Sequence, residues 1–313
     1  MLNRLLASDD TRPAVYWRGR WLSYRDLRRR AGQLAARLHE WGVRKHDRVS
    51  ILALNHIAHV DLMLAASQLG FFYTPLNYRL ADAEQRALCD YVTPSLVFHD
   101  SVHADQAAQT GRPLFALDGY EDWLADAPSP PAAAVLGDDD IHMLLFTGGS
   151  TGVPKAAMIP YRQILQNARA TAQGWGLTAE HGAIQATPCF HAALNVFTTP
   201  LLHLGGRVVL LENFEPESYL ATTEQLGMTH WFLVPTMYQM LAAHPRFASA
   251  RVSSVQWAIS GGAPCPAPVR AAFATRGIRF KQGYGMTEAG VNCFEMTLDE
   301  VEAHPDAVGR PLP

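Results

Sequence analysis

The chain has 313 residues, with 26 Lys and Arg against 29 Asp and Glu, which gives a formal net charge of −3. Hydrophobic residues make up 48% of it, which excludes a disordered chain, and the near-neutral charge provides no basic field for a dedicated nucleic-acid binder. At this length we expect two lobes rather than one core.

The cysteines, the first residues and a charge-free stretch of the sequence together indicate the cellular compartment of the protein. The four cysteines lie far apart and form no metal or disulfide pattern, which is typical of a reducing environment. The first residues lack the apolar core of a signal peptide, and the charge-free stretch 181–206 contains too many polar residues and prolines for a membrane span. We therefore expect a cytoplasmic protein with no membrane span and no nucleic-acid partner, and the sequence is compatible with a homodimer.

Helices and strands alternate along the first half of the chain. Residues 23–41 predict a helix, because apolar residues recur there at the spacing of one helical face and Ser23 can cap its first turn. The chain then predicts a strand at 48–54, a helix ending at Gly70, a strand at 71–76, a helix at 82–91 and a strand at 95–99.

The second half repeats this alternation after a connector rich in Pro and Ala at residues 125–137. The predicted elements are strands at 141–146, 207–211, 229–234 and 255–259 and helices from about 161, at 216–226 and at 266–276. Strands separated by helices predict an α/β fold with parallel sheets that are covered on both faces.

A glycine-rich loop at residues 147–155 follows the strand at 141–146 directly. Glycines let the backbone approach a ligand, hydroxyls and amides can bind phosphate oxygens, and a lysine adds a fixed positive charge. This composition favours phosphate binding over a plain turn. The predicted ligands are Thr147, Gly148, Gly149, Ser150, Thr151, Gly152 and Lys155.

Three more specific interpretations of this loop compete. A Walker A loop does not match, because Val153 and Pro154 separate Gly152 from the lysine. The nucleophile elbow of an α/β-hydrolase matches at Ser150, but it needs a helix immediately after the serine, and Pro154 and Pro160 leave only five residues between them. A phosphate loop between two strands fits best.

Seven segments in order resemble the acyl-adenylate-forming enzymes, a family that includes acyl- and aryl-CoA ligases. They are residues 21–27, 64–80, 147–155, 188–197, 260–264, 282–288 and 308–311. The match is imperfect in the loop, where Gly148 and Ala156 replace the commoner Ser and Gly. The resemblance implies two packed αβα lobes with largely parallel sheets, the first at 1–170 with the phosphate loop and the second at 171–313.

The resemblance also implies a reaction and its residues. A carboxylic acid and ATP would give an acyl-adenylate and pyrophosphate, with CoA as the second substrate of the full-length enzyme. Lys155 and the loop would hold the β- and γ-phosphates, Thr287 would contact the α-phosphate, and Glu288 would coordinate Mg²⁺, so these three residues are the predicted catalytic set. Tyr284 would stack on adenine. The other predicted adenine-side residues are Gly261, Gly262, Ala263, Gln282, Gly283 and Gly285.

The stretch around His191 resembles the family's acyl-pocket segment. No cationic side chain lies in it, which favours a hydrophobic acid and leaves fatty, cinnamate-like and benzoate-like acids open. His191 is interpreted as lining the pocket, and a Cys189–His191 nucleophile pair is discounted because residues two apart lack direct hydrogen-bond reach. The predicted pocket residues are Phe190, His191, Ala193, Asn195, Val196, Met286 and Ala289.

The family's later elements are missing from the sequence, which stops at Pro313. The resemblance implies that a β-barrel and a mobile C-terminal domain would follow, so we interpret the chain as a truncated N-terminal part with impaired overall ligation. The acceptor, CoA or a carrier protein, stays open. Two other functions are kept as alternatives: an α/β-hydrolase using Ser150, and a non-catalytic nucleotide-binding module.

Overall fold

The structure is a computed structural model that describes residues 10–147 and 155–313. These residues form two compact units, each built around its own sheet. Among the described residues, unit 1 comprises 10–11, 23–147, 155–163 and 189–191, and unit 2 comprises 12–22, 164–188 and 192–313.

Strands and helices alternate through both units. The strands are β1 (Pro13–Trp17), β2 (Arg20–Ser23), β3 (Arg48–Leu52), β4 (Phe72–Pro75), β5 (Leu96–His99), β6 (Leu114–Ala116), β7 (Ile141–Thr147), β8 (Lys155–Pro160), β9 (Gly182–Gln185), β10 (Arg207–Leu210), β11 (His230–Leu233), β12 (Trp257–Ser260), β13 (Arg279–Gln282), β14 (Phe294–Glu295) and β15 (Arg310–Pro311). The α-helices are α1 (Tyr24–Glu40), α2 (Ile57–Leu69), α3 (Asp82–Val92), α4 (Ala104–Ala108), α5 (Tyr120–Ala125), α6 (Tyr161–Gly174), α7 (Thr198–Leu204), α8 (Pro216–Leu226), α9 (Pro235–Ala243), α10 (Ala267–Ala274) and α11 (Leu298–Ala303).

The sheet of unit 1 has the order β6-β5-β3-β4-β7-β8 within the described residues. Its neighbours pair in parallel except β7 and β8, which are antiparallel. Helix α1 begins where the sequence predicts, because the Ser23 hydroxyl accepts from the Asp26 N–H and the Asp26 carboxylate accepts from the Ser23 N–H. Nearly every residue of α2 is buried, so this helix belongs to the core of the unit.

The sheet of unit 2 has the order β13-β12-β11-β9-β10-β1-β2 within the part of the chain that is described. Its parallel strands rest on a core rich in aromatic side chains, with Trp231, Tyr219, Tyr238 and Phe273 fully buried. The edge of this sheet comes from the N-terminal end of the chain, since β1 pairs in parallel with β10. This placement brings together segments nearly two hundred residues apart.

The structure confirms the α/β class with mostly parallel sheets. The predicted strands and helices are present with ends shifted by a few residues, and the helix at Pro216–Leu226 has the predicted bounds. The sequence analysis missed β1, β2, β6, β9, β13, β14 and β15, and it implied β8 only by placing the glycine-rich loop between two strands. In the described ranges, no helix combines the length and the apolar character that crossing a membrane requires.

Candidate functional site

Two glycine-containing loops lie side by side at the carboxyl ends of β12 and β13. The strands are parallel neighbours with Ser260 opposite Gln282, so both chains leave the sheet at the same edge. The Gly283 N–H donates to the Ser260 carbonyl at 2.7 Å, and the Cys265 N–H donates to the Gln282 side-chain oxygen at 2.8 Å. These bonds fix the predicted adenine-side segments, 260–263 and 282–285, next to each other.

Packing explains why glycines stand in these loops. A Cβ on Gly285 would lie 1.5 Å from the Val291 carbonyl oxygen, a distance that no side chain could accommodate. A Cβ on Gly283 would lie 3.0 Å from an Ile259 methyl group, and one on Gly261 would lie 3.2 Å from the Phe232 ring. Gly285 therefore lies in direct contact with the backbone of residue 291, while Gly261 and Gly283 lie close against the side chains of Phe232 and Ile259.

The chain after Gly285 folds back on itself and presents Tyr284 outward. The Cys293 N–H donates to the Tyr284 carbonyl at 3.1 Å, which closes the loop. The Phe294 ring packs edge-on against Tyr284 with centroids 5.6 Å apart, yet the Tyr284 side chain remains 53% exposed. Met286 and Glu288, on the same loop, are also exposed. A half-exposed aromatic ring beside a glycine cradle can stack on a flat ring system.

Lys281 spans the base of this loop. Its side chain is buried, and its Nζ donates to the Met296 carbonyl at 2.7 Å, joining the two ends of the segment that carries Tyr284 and Glu288. The Trp257 ring centroid lies 4.4 Å from Nζ. Burial, together with the positive charge of Arg279, lowers the pKa of Lys281 to about 8.

In unit 1, Thr147 and Lys155 face each other at the open ends of the antiparallel strands β7 and β8. The other predicted phosphate ligands, Gly148, Gly149, Ser150, Thr151 and Gly152, lie outside the described residues. A strand rather than a helix follows the loop, and α6 begins only at Tyr161. This order is that of a loop between two strands, and it does not match the strand–turn–helix of a nucleophile elbow.

The segment Cys189–His191 belongs to unit 1. The Cys189 N–H donates to the Asn55 side-chain oxygen at 2.8 Å, and burial raises the pKa of the Cys189 thiol, which keeps it protonated. Phe190 packs edge-on against Tyr78, with the His191 ring 4.2 Å from the Phe190 ring. Burial and the charge of Arg79 lower the pKa of His191. A buried, protonated thiol argues against a cysteine nucleophile.

The remaining predicted pocket residues belong to unit 2. Ala193 and Asn195 lie in a short 3-10 helix, and Val196 follows it in a buried position. Met286 and Ala289 lie in the loop that carries Tyr284. Sequence reasoning missed Asn292, whose side chain donates to the Val196 carbonyl at 3.1 Å and so joins this loop to the acyl-pocket segment. Its polarity in an otherwise apolar neighbourhood was the available signal.

Known proteins are similar to this chain in sequence and in fold. A feruloyl-CoA synthase from Amycolatopsis sp is 40% identical over 306 residues, which cover 95% of this chain and 61% of that protein. The N-terminal domain of FACL13 from Mycobacterium tuberculosis shares the fold, with a TM-score of 0.92 at 22% identity over 99% of this chain and 81% of that chain. ATP-bound MatB from Rhodopseudomonas palustris has a TM-score of 0.88 at 29% identity, over 100% and 64% of the two chains.

The chain thus spans about three fifths of the length of the curated relatives it matches first. The family model of AMP-binding enzymes matches residues 4–313, which is nearly the whole sequence. The chain belongs to the AMP-binding enzyme family.

Proposed function

We propose that the chain uses ATP to activate a hydrophobic carboxylic acid as an acyl-adenylate, and that the whole protein transfers the acyl group to CoA. The observation that carries this proposal is the pair of glycine loops at the carboxyl ends of β12 and β13, with Tyr284 exposed beside them. The crevice at the carboxyl ends of parallel strands is where α/β sheets bind nucleotides. Tyr284 would stack on adenine, and Gly261, Gly262 and Ala263 would border its edge.

The reaction is a displacement at phosphorus. A carboxylate oxygen of the acid attacks the α-phosphorus of ATP, and the bond from that phosphorus to the bridging oxygen of pyrophosphate breaks. Negative charge grows on the leaving pyrophosphate, so a fixed cation beside it accelerates the step. Lys155 would supply that cation, together with Thr147 and the loop that follows it. Thr287 would donate to the α-phosphate.

Glu288 is the residue that would hold Mg²⁺. Within the described residues, no three side chains of His, Cys, Asp or Glu lie close enough together to bind a metal ion by themselves. Mg²⁺ characteristically binds through one or two carboxylates plus substrate phosphates and water. The exposed Glu288 would be that carboxylate, and the ion would neutralise phosphate charge.

An aromatic acid is the substrate class that we favour. The relative at 40% identity is named for feruloyl-CoA, the thioester of an aromatic acid. The predicted pocket residues Phe190, Ala193 and Val196 are apolar, as a ring requires, and Ala193 leaves room for bulk. Transfer to CoA rests on the same relatives.

Pyrophosphate exchange into ATP, measured with a panel of acids, tests the proposal. Exchange should depend on added acid, and Lys155→Ala should lower its rate by roughly 10²–10³-fold, because the charge on the leaving group loses its partner. Lys45→Ala is the matched control. Lys45 lies about a hundred residues before the loop and forms an ion pair with Asp140 at 3.0 Å. Its removal should leave the exchange rate unchanged.

Glu288→Ala should abolish the Mg²⁺-dependent exchange, whereas Glu302→Ala, at an exposed glutamate of the same unit, should not. Full exchange in both Lys155→Ala and Glu288→Ala would refute the proposal. Ester cleavage without ATP that is lost in Ser150→Ala would indicate the hydrolase instead. ATP binding in calorimetry with no product from any acid would indicate a non-catalytic module.

A further inference from the structure

Strand β6 forms one edge of the unit 1 sheet and pairs only with β5 among the described strands. The Val97 N–H of β5 donates to the Pro113 carbonyl at 2.9 Å, which turns the peptide groups of residues 113 and 115 toward β5. The N–H and C=O groups of Leu114 and Ala116 therefore point away from the sheet. An edge of this kind can pair with a further strand.

The outer side of β6 is not protected against such pairing. Proteins usually block an edge strand with lysine or proline on its exposed side. Leu114 and Ala116 are exposed apolar residues, and the N–H that Pro113 lacks would face β5 rather than the outside. The opposite edge of the same sheet is β8, which begins at the exposed Lys155 and ends at Pro160. Unit 1 therefore has one protected edge and one edge that is open to pairing.

An exposed aromatic cluster lies beside the open edge on one face of the sheet. The centroid of the Phe115 ring lies 4.3 Å from that of Trp123 and 5.6 Å from that of Trp41, and Trp41 is 47% exposed. Leu114 points to the other face, because successive side chains of a strand alternate, and it is 36% exposed. Apolar surface on both faces of an open strand edge is typical of an interaction site.

The sequence of β6 is complementary to a second copy of itself. When two copies run antiparallel about an axis through Phe115, Leu114 of one copy lies opposite Ala116 of the other. Each such pair exchanges both of its N–H···O=C bonds, because both residues point outward. The two Phe115 residues then face each other as a pair without hydrogen bonds, the arrangement in which opposite side chains lie closest.

Charged residues at the two ends of the strand favour this register. It sets Arg112 of one copy opposite Asp118 of the other, and the symmetry repeats the pair at the other end. Asp118 is exposed and forms no ion pair within the described residues. Arg112 contacts the exposed Asp90 at 2.8 Å, while its Nε is buried without a partner in the described part of the chain. A shift by two residues would set Arg112 opposite Ala116 or Tyr120 and lose both charge pairs.

We propose that two copies of this chain associate through β6, pairing antiparallel about Phe115, so that their unit 1 sheets form one continuous sheet. Each copy uses the same surface, as a twofold axis requires. The strand is short, so we expect a weak association with a dissociation constant on the order of 10 µM. The inference is independent of the proposed function, because no residue of the nucleotide loops takes part in the contact.

Sedimentation equilibrium of the whole chain, over roughly 1–200 µM, tests the inference. The mass should rise from that of one chain, 34.5 kDa, toward twice that value. Ala116→Pro should weaken the association by roughly 30-fold, because each copy loses one outward N–H. Ala116 has a φ of −78°, which proline adopts, so its pairing with β5 should be retained. Ala116→Ser keeps the N–H and is the matched control.

A second variant tests the register through its charges. Asp118→Arg sets two arginines opposite each other at both ends of the strand pair and should weaken the association by roughly tenfold, less at high salt. Asp299→Arg changes the net charge equally at an exposed aspartate of unit 2 and should associate as wild type does. Equal association of Asp118→Arg and Asp299→Arg would refute the register.

Amide hydrogen exchange locates the contact. The N–H groups of Leu114 and Ala116 should exchange more slowly at the highest concentration than at the lowest, and Ala116→Pro should abolish this difference at Leu114. The mass of a single chain at every concentration would overturn the inference and leave the edge to a different partner. Association that persists unchanged in Ala116→Pro, with wild-type circular dichroism, would also overturn it, because the copies would then meet on another surface.

Discussion

The two units each bury a positive charge, and they do so in opposite ways. In unit 1, Arg30 on α1 is 2% exposed, and its guanidinium contacts Asp61 on α2 at 2.8 Å and Glu121 on α5 at 2.7 Å. In unit 2, Lys281 on β13 is 4% exposed and contacts a carbonyl oxygen and the Trp257 ring. Within the described residues no carboxylate forms an ion pair with Lys281, and Glu295 and Glu300 act on it only from a distance.

The difference follows from the chemistry of the two side chains. A guanidinium cannot release its proton in a protein, so it is buried only with carboxylates around it. Burial opposes the charge of Arg30, but Asp61 and Glu121 outweigh it and raise the pKa of Arg30 above its usual value. An ammonium group can release its proton, and the lowered pKa of Lys281 brings that release near neutral pH. Unit 1 therefore has a fixed buried charge and unit 2 a proton-linked one.

The choice of lysine at position 281 is informative because the chain hardly uses lysine. Of its 26 Lys and Arg residues only three are lysines, namely Lys45, Lys155 and Lys281, so nearly every other basic position of the chain is an arginine. At position 281 it bridges the base of the loop with Tyr284 and Glu288. We therefore expect a change in the protonation of Lys281 to alter the conformation of the loop that carries Tyr284 and Glu288 before it alters the rest of the unit.

The largest expected effect comes from removing the buried counter-charge of Arg30. Asp61→Ala leaves the guanidinium buried with only the half-exposed Glu121 as a partner, and it also removes the acceptor of the Tyr120 hydroxyl at 2.9 Å. Breaking a buried pair in this way costs about 3–5 kcal/mol in the free energy of unfolding. Urea unfolding followed by far-UV circular dichroism measures the loss.

Asp90→Ala is the control for this prediction. Asp90 pairs with Arg112 at 2.8 Å in the same unit but is exposed, so its removal should cost less than about 1 kcal/mol. Equal losses in the two variants would mean that burial does not distinguish these pairs, and the comparison with Lys281 would then have no basis.

The next effect is a dependence on pH in unit 2. The folded-state pKa of Lys281, about 8, lies below the value near 10.4 that a lysine has in an unfolded chain, so the unfolded state binds more protons between these values. The free energy of unfolding should therefore increase as the pH rises from 7.5 to 10.5, by about 3 kcal/mol. Lys281→Met cannot titrate and should lose this increase.

The difference between wild type and variant as a function of pH is the quantity to measure, because every other titrating group cancels in it. Lys45→Met serves as the matched control, since it removes a partly exposed lysine of unit 1 and should keep the increase that Lys281→Met loses. Parallel curves for wild type and Lys281→Met would show that Lys281 is not proton-linked.

Local features of this molecule were readable from the sequence. The capping residues of α1, the strand before the glycine-rich loop and the glycines of that loop each depend on a few neighbouring residues. Helical periodicity and glycine content report such neighbours directly. The loop before Lys155 was identified for the same reason, whereas the motif around Tyr284 was identified by its resemblance to the acyl-adenylate-forming enzymes.

Features that depend on distant residues were not readable. Strand β1 was missed because its stability comes from pairing Val15 with Val208 in β10. Asn292 was passed over because its significance lies in contacts with Thr171 and Val196, about a hundred residues earlier. The burial of Arg30 against Asp61 and Glu121 depends on packing that no local sequence pattern encodes.

The smallest expected loss in the free energy of unfolding is that of Glu121→Gln, and its size shows which carboxylate neutralises the charge of Arg30. Glu121 contacts the guanidinium as closely as Asp61 does, but its side chain is 47% exposed, so water and salt screen the pair. Glu121→Gln keeps the volume and one acceptor oxygen, and it should cost about 0.5–1 kcal/mol in the free energy of unfolding, less at high salt. A loss equal to that of Asp61→Ala would mean that the two carboxylates share the charge. A loss several times smaller would assign the neutralising charge to Asp61, which is where burial makes it irreplaceable.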